Sequence, residues 1–183
     1  MKRAVIIHGW GGNPNEGWYP LLKKELENRD IIVEVPEMPN TEAPDIKQWV
    51  KTLAKNVDPE ADTYLIGHSI GCQTILRYLE KLTTPVNIKG VVFVAGWLVL
   101  SGLTTPEEEG IARPWLETPV DLPAAKGKAK KIVSLFSDDD PFVPEENWQQ
   151  FEDLGTITVV PGREHITAPS DIDIVLDVVK KVL

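Results

Sequence analysis

The stretch Gly67-His68-Ser69-Ile70-Gly71 is where residue types and spacing first suggest chemistry. A serine stands between two glycines, where an apolar run (63–68) meets a helical pattern (69–82). A Gly-x-Ser-x-Gly arises by chance in a chain of this length roughly 6% of the time at average residue usage, so its context has to carry the argument. A strand-to-helix junction is what a nucleophile elbow requires. The glycines let strand and helix approach with no side chain between them, and the turn pushes the serine hydroxyl out at the sheet edge. The first N–H groups of the helix are left free for an oxyanion. The competing reading is a glycine-rich turn with serine as helix N-cap.

An activated serine needs a base, most often histidine, and the chain has three. His68 precedes Ser69 on the same strand, so its ring points to the other face. His8 closes the first apolar run. His165 follows the last one and has both the right edge and the right order. Its imidazole needs an acid to hold the tautomer, in the chain order Ser, Asp or Glu, His. Between Ser69 and His165 an apolar run ends in Asp138-Asp139-Asp140-Pro141. Strand parity puts Asp138 and Asp140 on one face, and Pro141 pushes Asp140 into an extended conformation. As a calcium loop the run fails, because Val143 stands where glycine is needed and Gln149 where glutamate is needed. No metal is expected.

The loop HGWGGNPNEGW (8–18) also follows a strand pattern. As a dinucleotide fingerprint it has Pro14 in place of the third glycine, and as a P-loop it has Trp18 and Tyr19 in place of Lys and Ser/Thr. No cofactor is expected. The loop fits an oxyanion role better, with the Trp10 N–H pairing with that of Ile70. Cys72, one turn beyond Ser69, reads as a small buried helix residue.

These residues need a scaffold that brings them to one edge. Six Val- and Ile-rich runs, at 3–8, 31–35, 63–68, 90–96, 131–137 and 156–162, read as strands covered on both faces. Helical spacing lies between or after them at 19–29, 43–57, 69–82, 146–154 and 169–183, the last with Ser170 as N-cap. The alternation predicts an α/β fold with a single, mostly parallel sheet of about six strands and helices on both faces. Ligands of such sheets sit at the carboxyl ends of the strands. Residues 97–129 hold four prolines and no clear periodicity, and are read as a long irregular connection. Trp97, Trp115 and Phe142 are candidate pocket residues.

The length of 183 residues suggests one domain, 1–183. A net charge of −9 disfavours nucleic acid as a partner. The single cysteine allows no internal disulfide and fits a reducing compartment. The N-terminal apolar run is too short for a signal-peptide core, and no run is long enough to span a membrane. The expected location is the cytoplasm.

His8-Gly9-Trp10-Gly11-Gly12, MPNTEAP (38–44), GHSIGCQTILRYLE (67–80) and SDDDPFVP (137–144) together resemble the retinoblastoma-binding protein 9 family of small serine hydrolases, in order and over nearly the whole chain. The resemblance implies an α/β-hydrolase fold without a large cap domain. It also implies a nucleophile at Ser69, an acid at Asp140 and a base at His165, acting on a small acyl substrate, ester or amide. The chain departs from the family at Glu164, where glycine is usual and allows backbone shapes that glutamate resists. It also lacks the Leu-x-Cys-x-Glu pattern, with Ile70 and Thr74 around Cys72, so no retinoblastoma-protein partner is carried over. The alternative to an enzyme is a binding protein that keeps the fold without turnover.

Overall fold

Apolar runs without polar alternation call for cover on both faces; the four inner strands have it, while the two edge strands stay partly exposed. The structure, a computed structural model, describes residues 1–83 and 85–183. Strands β1 (Lys2–Ile7), β2 (Ile32–Glu34), β3 (Asp62–His68), β4 (Asn87–Val94), β5 (Ile132–Ser137) and β6 (Thr156–Val160) form one sheet in the order β2-β1-β3-β4-β5-β6. Every neighbouring pair is parallel. Alternate residues of a strand feed separate cores. In β1, Val5 and Ile7 face one layer while Ala4 and Ile6 face the other.

The first layer holds α2 (Ile46–Asn56), α3 (Ile70–Glu80), α4 (Pro106–Glu117), α5 (Leu122–Lys126) and α6 (Glu146–Leu154). It is built on Trp49, Leu76, Trp115 and Phe151, all fully or almost fully buried. The second layer holds α1 (Tyr19–Glu27) and α7 (Ile172–Lys180), packed through Leu22, Leu26, Val175 and Val179. No helix among the described residues is long and apolar enough to cross a membrane.

Register decides what meets at the working edge. Ile7 pairs with Gly67, His68 with Val94, Val94 with Leu135 and Ser137 with Val160. The segments that follow β1, β3, β4, β5 and β6 therefore leave the sheet side by side.

Two sequence expectations are corrected. Residues 97–129 are not simply irregular, since they contain α4 and α5. Helix α4 starts at a capping box in which the Thr105 hydroxyl accepts from the Glu108 N–H and the Glu108 carboxylate accepts from the Thr105 N–H, with Pro106 in the first turn. Only Ala112 and Trp115 of α4 are buried and Pro114 lies inside it, so its apolar face is too narrow to show a period. Ser170 is not the cap of the last helix either. It lies in a 3-10 turn, Pro169–Asp171, that leads into α7.

Candidate active site

Ser69 sits at φ 53° and ψ −120°, a strained backbone conformation for a residue with a side chain. It occupies the N-cap position of α3, yet its side chain makes no capping bond. The hydroxyl therefore does not serve the helix. The turn is held by the Ser69 N–H donating to Val94 O at 2.9 Å and the Cys72 N–H donating to Ser69 O at 2.9 Å. Both glycines are required by contact rather than by flexibility. A Cβ on Gly67 would stand 2.8 Å from Cys72 N, and one on Gly71 would stand 2.3 Å from Ile7 O.

Beyond β5 the three aspartates divide one task. Asp138 accepts from the Gly162 N–H at 3.0 Å, Asp139 from the Glu164 N–H at 2.8 Å, and Asp140 Oδ2 lies 2.8 Å from His165 Nδ1. Each carboxylate grips a further point of the loop after β6. Asp140 Oδ1 also accepts from the Phe142 and Val143 N–H groups at 2.9 and 3.1 Å. With its side chain only 2% exposed, it is fixed on both oxygens. The Asp139 carboxyl is held below its ordinary range, first by the Ser137 hydroxyl and then by the Glu164 N–H.

The loop itself is strained on both sides of His165. Glu164 has φ 47° and Ile166 φ 53°, the left-handed region that side chains rarely adopt. The Trp18 indole donates to Ile166 O at 2.9 Å, and the Arg163 N–H donates to the Ser137 hydroxyl at 2.9 Å. Arg163 also pairs with Asp171 at 3.1 Å, tying the loop to the start of α7. The His165 ring meets Phe142 edge-on at 5.3 Å between centroids.

Ser69 and His165 open into one cavity of about 580 Å³, whose wall also includes Trp10, Trp97, Leu100 and Phe142. Trp97 Nε1 donates to the Ser69 hydroxyl oxygen at 3.3 Å. An indole N–H is only a donor, so the serine proton stays free to be given elsewhere. Trp115 is a correction, because it is not on this wall. It is 1% exposed, donates to Pro44 O at 2.9 Å and packs edge-on against Trp49 at 6.2 Å. As one of the two buried residues of α4 it anchors that helix to the core.

Near the first strand, Gly9 O is held by His8 Nδ1 at 2.9 Å and the Gly12 N–H at 3.2 Å. His8 Nε2 accepts from the Met38 N–H at 3.2 Å, so Nδ1 carries the hydrogen. Burial lowers the basicity of this ring. His68 is equally engaged, with Nδ1 2.8 Å from the Tyr19 hydroxyl and Nε2 3.0 Å from His165 O. Burial, aided by the neighbouring His165, pushes His68 down to about 3. Cys72 is fully buried, and burial raises its thiol far above the ordinary range. It has none of the exposure or depressed pKa of a reactive cysteine.

Trp18, Tyr19, Ser137 and Asp139 are absent from the sequence-derived site. No local pattern marks them, since their partners lie far along the chain. Asp139 is the exception, because its place in the aspartate run was visible while its grip on the loop was not.

The sequence model of the Serine hydrolase family matches residues 4–173. YdeN of Bacillus subtilis (strain 168) is 35% identical over 97 residues, which are 52% of this chain, and in that alignment the chain spans about half (51%) of YdeN's length. The serine hydrolase RBBP9 of Rattus norvegicus is 27% identical over 158 residues, covering 82% of this chain and 78% of RBBP9. The crystal structure of the ydeN gene product superposes with a TM-score of 0.79 at 25% identity, over 98% of this chain and 100% of that one. Est1E from Butyrivibrio proteoclasticus, solved with ferulic acid bound, gives 0.71 at 16% identity over 98% of this chain and 90% of its own, a likeness of fold alone. The parallel six-stranded sheet with its two helical layers is an α/β-hydrolase fold. By the match over residues 4–173, the chain belongs to the Serine hydrolase family.

Proposed function

We propose that the chain hydrolyses small esters or amides through an acyl-enzyme on Ser69, with His165 as base and Asp140 as its orienting acid. The observation that carries this is the 2.8 Å contact between Asp140 Oδ2 and His165 Nδ1, in a cavity shared with the strained, uncapped Ser69. A carboxylate only accepts, so His165 carries its hydrogen on Nδ1 and keeps Nε2 bare. Ser69 Oγ attacks the acyl carbon and its proton passes to Nε2. That proton then goes to the leaving group as the bond to it breaks. Water, deprotonated by the same nitrogen, attacks the acyl-enzyme, and Ser69 recovers its proton as the acid leaves.

The oxyanion is assigned to the N–H groups of Trp10 and Ile70. The two bonds on Gly9 O turn that carbonyl inward, and in a trans peptide the Trp10 N–H then points the opposite way. Ile70 is the first residue of α3, whose leading N–H groups have no partner within the helix. Among the described residues neither N–H donates to a backbone or side-chain acceptor. The cavity volume of about 580 Å³ lies within the usual range for small-molecule sites and favours short acyl groups. Within the family, the order of motifs supports a place beside RBBP9. The lone cysteine, buried and unpaired, fits the cytoplasm.

A fluorophosphonate tests the reading. It should label Ser69 once per chain, and Ser69→Ala should abolish labelling while the fold is kept. A panel of acyl esters and aminoacyl amides then ranks substrates. No labelling of the wild type, or labelling that survives Ser69→Ala, defeats the proposal and favours a binding protein on the same fold.

A further inference from the structure

We propose that Tyr19 and His68 are positioning residues: a buried hydrogen-bond chain from Gly9 N–H through both side chains to His165 O sets the oxyanion loop and the base in register. This rests on the roles proposed above for Trp10 and His165. The chain is continuous. The Gly9 N–H meets the Tyr19 hydroxyl at 3.3 Å, that hydroxyl meets His68 Nδ1 at 2.8 Å, and His68 Nε2 meets His165 O at 3.0 Å.

Its direction is fixed by its ends. A backbone N–H only donates and a carbonyl only accepts. Tyr19 therefore accepts from Gly9 and gives its own hydrogen to His68 Nδ1, and His68 gives its Nε2 hydrogen to His165 O. No other assignment satisfies every atom. With the hydrogen on Nδ1, the Nε2 lone pair would face a carbonyl oxygen. With both nitrogens protonated, the Tyr19 hydroxyl would face two donors and its own hydrogen would have no acceptor. Tyr19 is 4% and His68 2% exposed, so the partners of these buried polar groups come chiefly from the protein.

The placement is tight as well as polar. The His68 ring packs edge-on against Trp18 at 5.9 Å and lies 5.0 Å from the His165 ring. A Cβ on Gly9 would stand 3.1 Å from His68 Nδ1. The ring is thus wedged between the loop that offers the Trp10 N–H and the loop that carries the base. Those loops follow different strands, and this chain joins them through two side chains. A merely apolar residue at position 68 would fill the space but leave the Tyr19 O–H and His165 O unpaired.

The test compares kcat and KM on one activated ester for wild type, His68→Gln, His68→Met and Tyr19→Phe. His68→Met keeps the volume without a donor and should lose on the order of 10²-fold in kcat, the scale of a 1 Å misplacement, with KM little changed. His68→Gln keeps an N–H that reaches towards His165 O and should recover most of that loss. The double variant Tyr19→Phe/His68→Met should be no worse than His68→Met alone, as expected for residues in one chain. Equal kcat for His68→Gln and His68→Met, losses confined to KM, or additive losses in the double variant each overturn the proposal.

Should His68→Met fail to fold, the ring tautomer of the wild type still decides. Two-bond proton–nitrogen correlations should show His68 neutral with its hydrogen on Nε2, and a hydrogen on Nδ1 overturns the proposal. Fluorophosphonate labelling of the wild type reports separately on the hydrolase reading. Labelling with a Nδ1–H tautomer defeats only the chain. No labelling with a Nε2–H tautomer defeats only the hydrolase reading and leaves the hydrogen-bond chain in place.

Discussion

Glu164→Gly should stabilise the protein, against the ordinary cost of a surface glycine. Glu164 has φ 47°, its side chain is exposed, and among the described residues its hydrogen bond is through the backbone N–H to Asp139, which glycine keeps. A side chain in the left-handed region costs about 1–2 kcal/mol. Removing it releases that cost, while the greater freedom of glycine in the unfolded chain takes back about 0.4–1 kcal/mol. The net gain is roughly 0.5–1 kcal/mol, which raises Tm by about 1–4 °C in a domain of this size. Gly162 offers the reciprocal change in the same loop. It has φ 66° and nothing within 4 Å of an added Cβ, so Gly162→Ala tests backbone strain without a clash. It should destabilise by a similar ~0.5–1 kcal/mol. The assay is urea denaturation of the three proteins with m held constant, beside kcat for one ester. Activity should be unchanged in Glu164→Gly, because Asp139, His68 and Trp18 hold successive residues of the loop. If Glu164→Gly is destabilising, or Gly162→Ala is neutral, the left-handed geometry around His165 is wrong.

Asp140→Asn should lose on the order of 10⁴-fold in kcat, because an amide favours the wrong tautomer of His165. Asp139→Asn should lose little, since the amide oxygen still accepts from the Glu164 N–H, whereas Asp139→Ala should lose more; kcat of the three variants checks the order. Gly71→Ala should reach at least the ~3 kcal/mol upper end of overpacking penalties, or fail to accumulate, because its Cβ would lie 2.3 Å from Ile7 O; denaturation midpoints check this. Acidification should weaken the fold through His68. Its pKa is about 3 when folded against 6.5 ordinarily, so the unfolded chain takes the proton first. Stability that is full above pH 6.5 is lost as the pH falls from there towards 3. The slope approaches ~1.4 kcal/mol per pH unit. Between pH 7 and pH 5 the wild type should lose roughly 2 kcal/mol more than His68→Gln, read from urea denaturation at each pH.

The strands were legible because parallel strands of a sheet flanked by helices are continuous apolar runs, and six such runs stood out, the two edge strands included although they stay partly exposed. Helix α4 was hidden because only two of its residues are buried and a proline lies inside it. Ser69 and His165 were legible as candidates because turn chemistry and the order of motifs along the chain are features of the sequence itself. Their shared cavity, the uncapped serine and the 2.8 Å bond to Asp140 are tertiary facts. Trp115 shows the opposite case. An aromatic in a proline-rich segment looks the same in sequence whether it lines a cavity or anchors a helix, and only its contacts with Pro44 and Trp49 decide. The grip of Asp138 and Asp139 on the loop, and the chain through Tyr19 and His68, were beyond the sequence altogether. Their bonds join residues 10 to 97 positions apart. A contact of that kind is fixed by where separate strands end, and no local pattern of residue types encodes it.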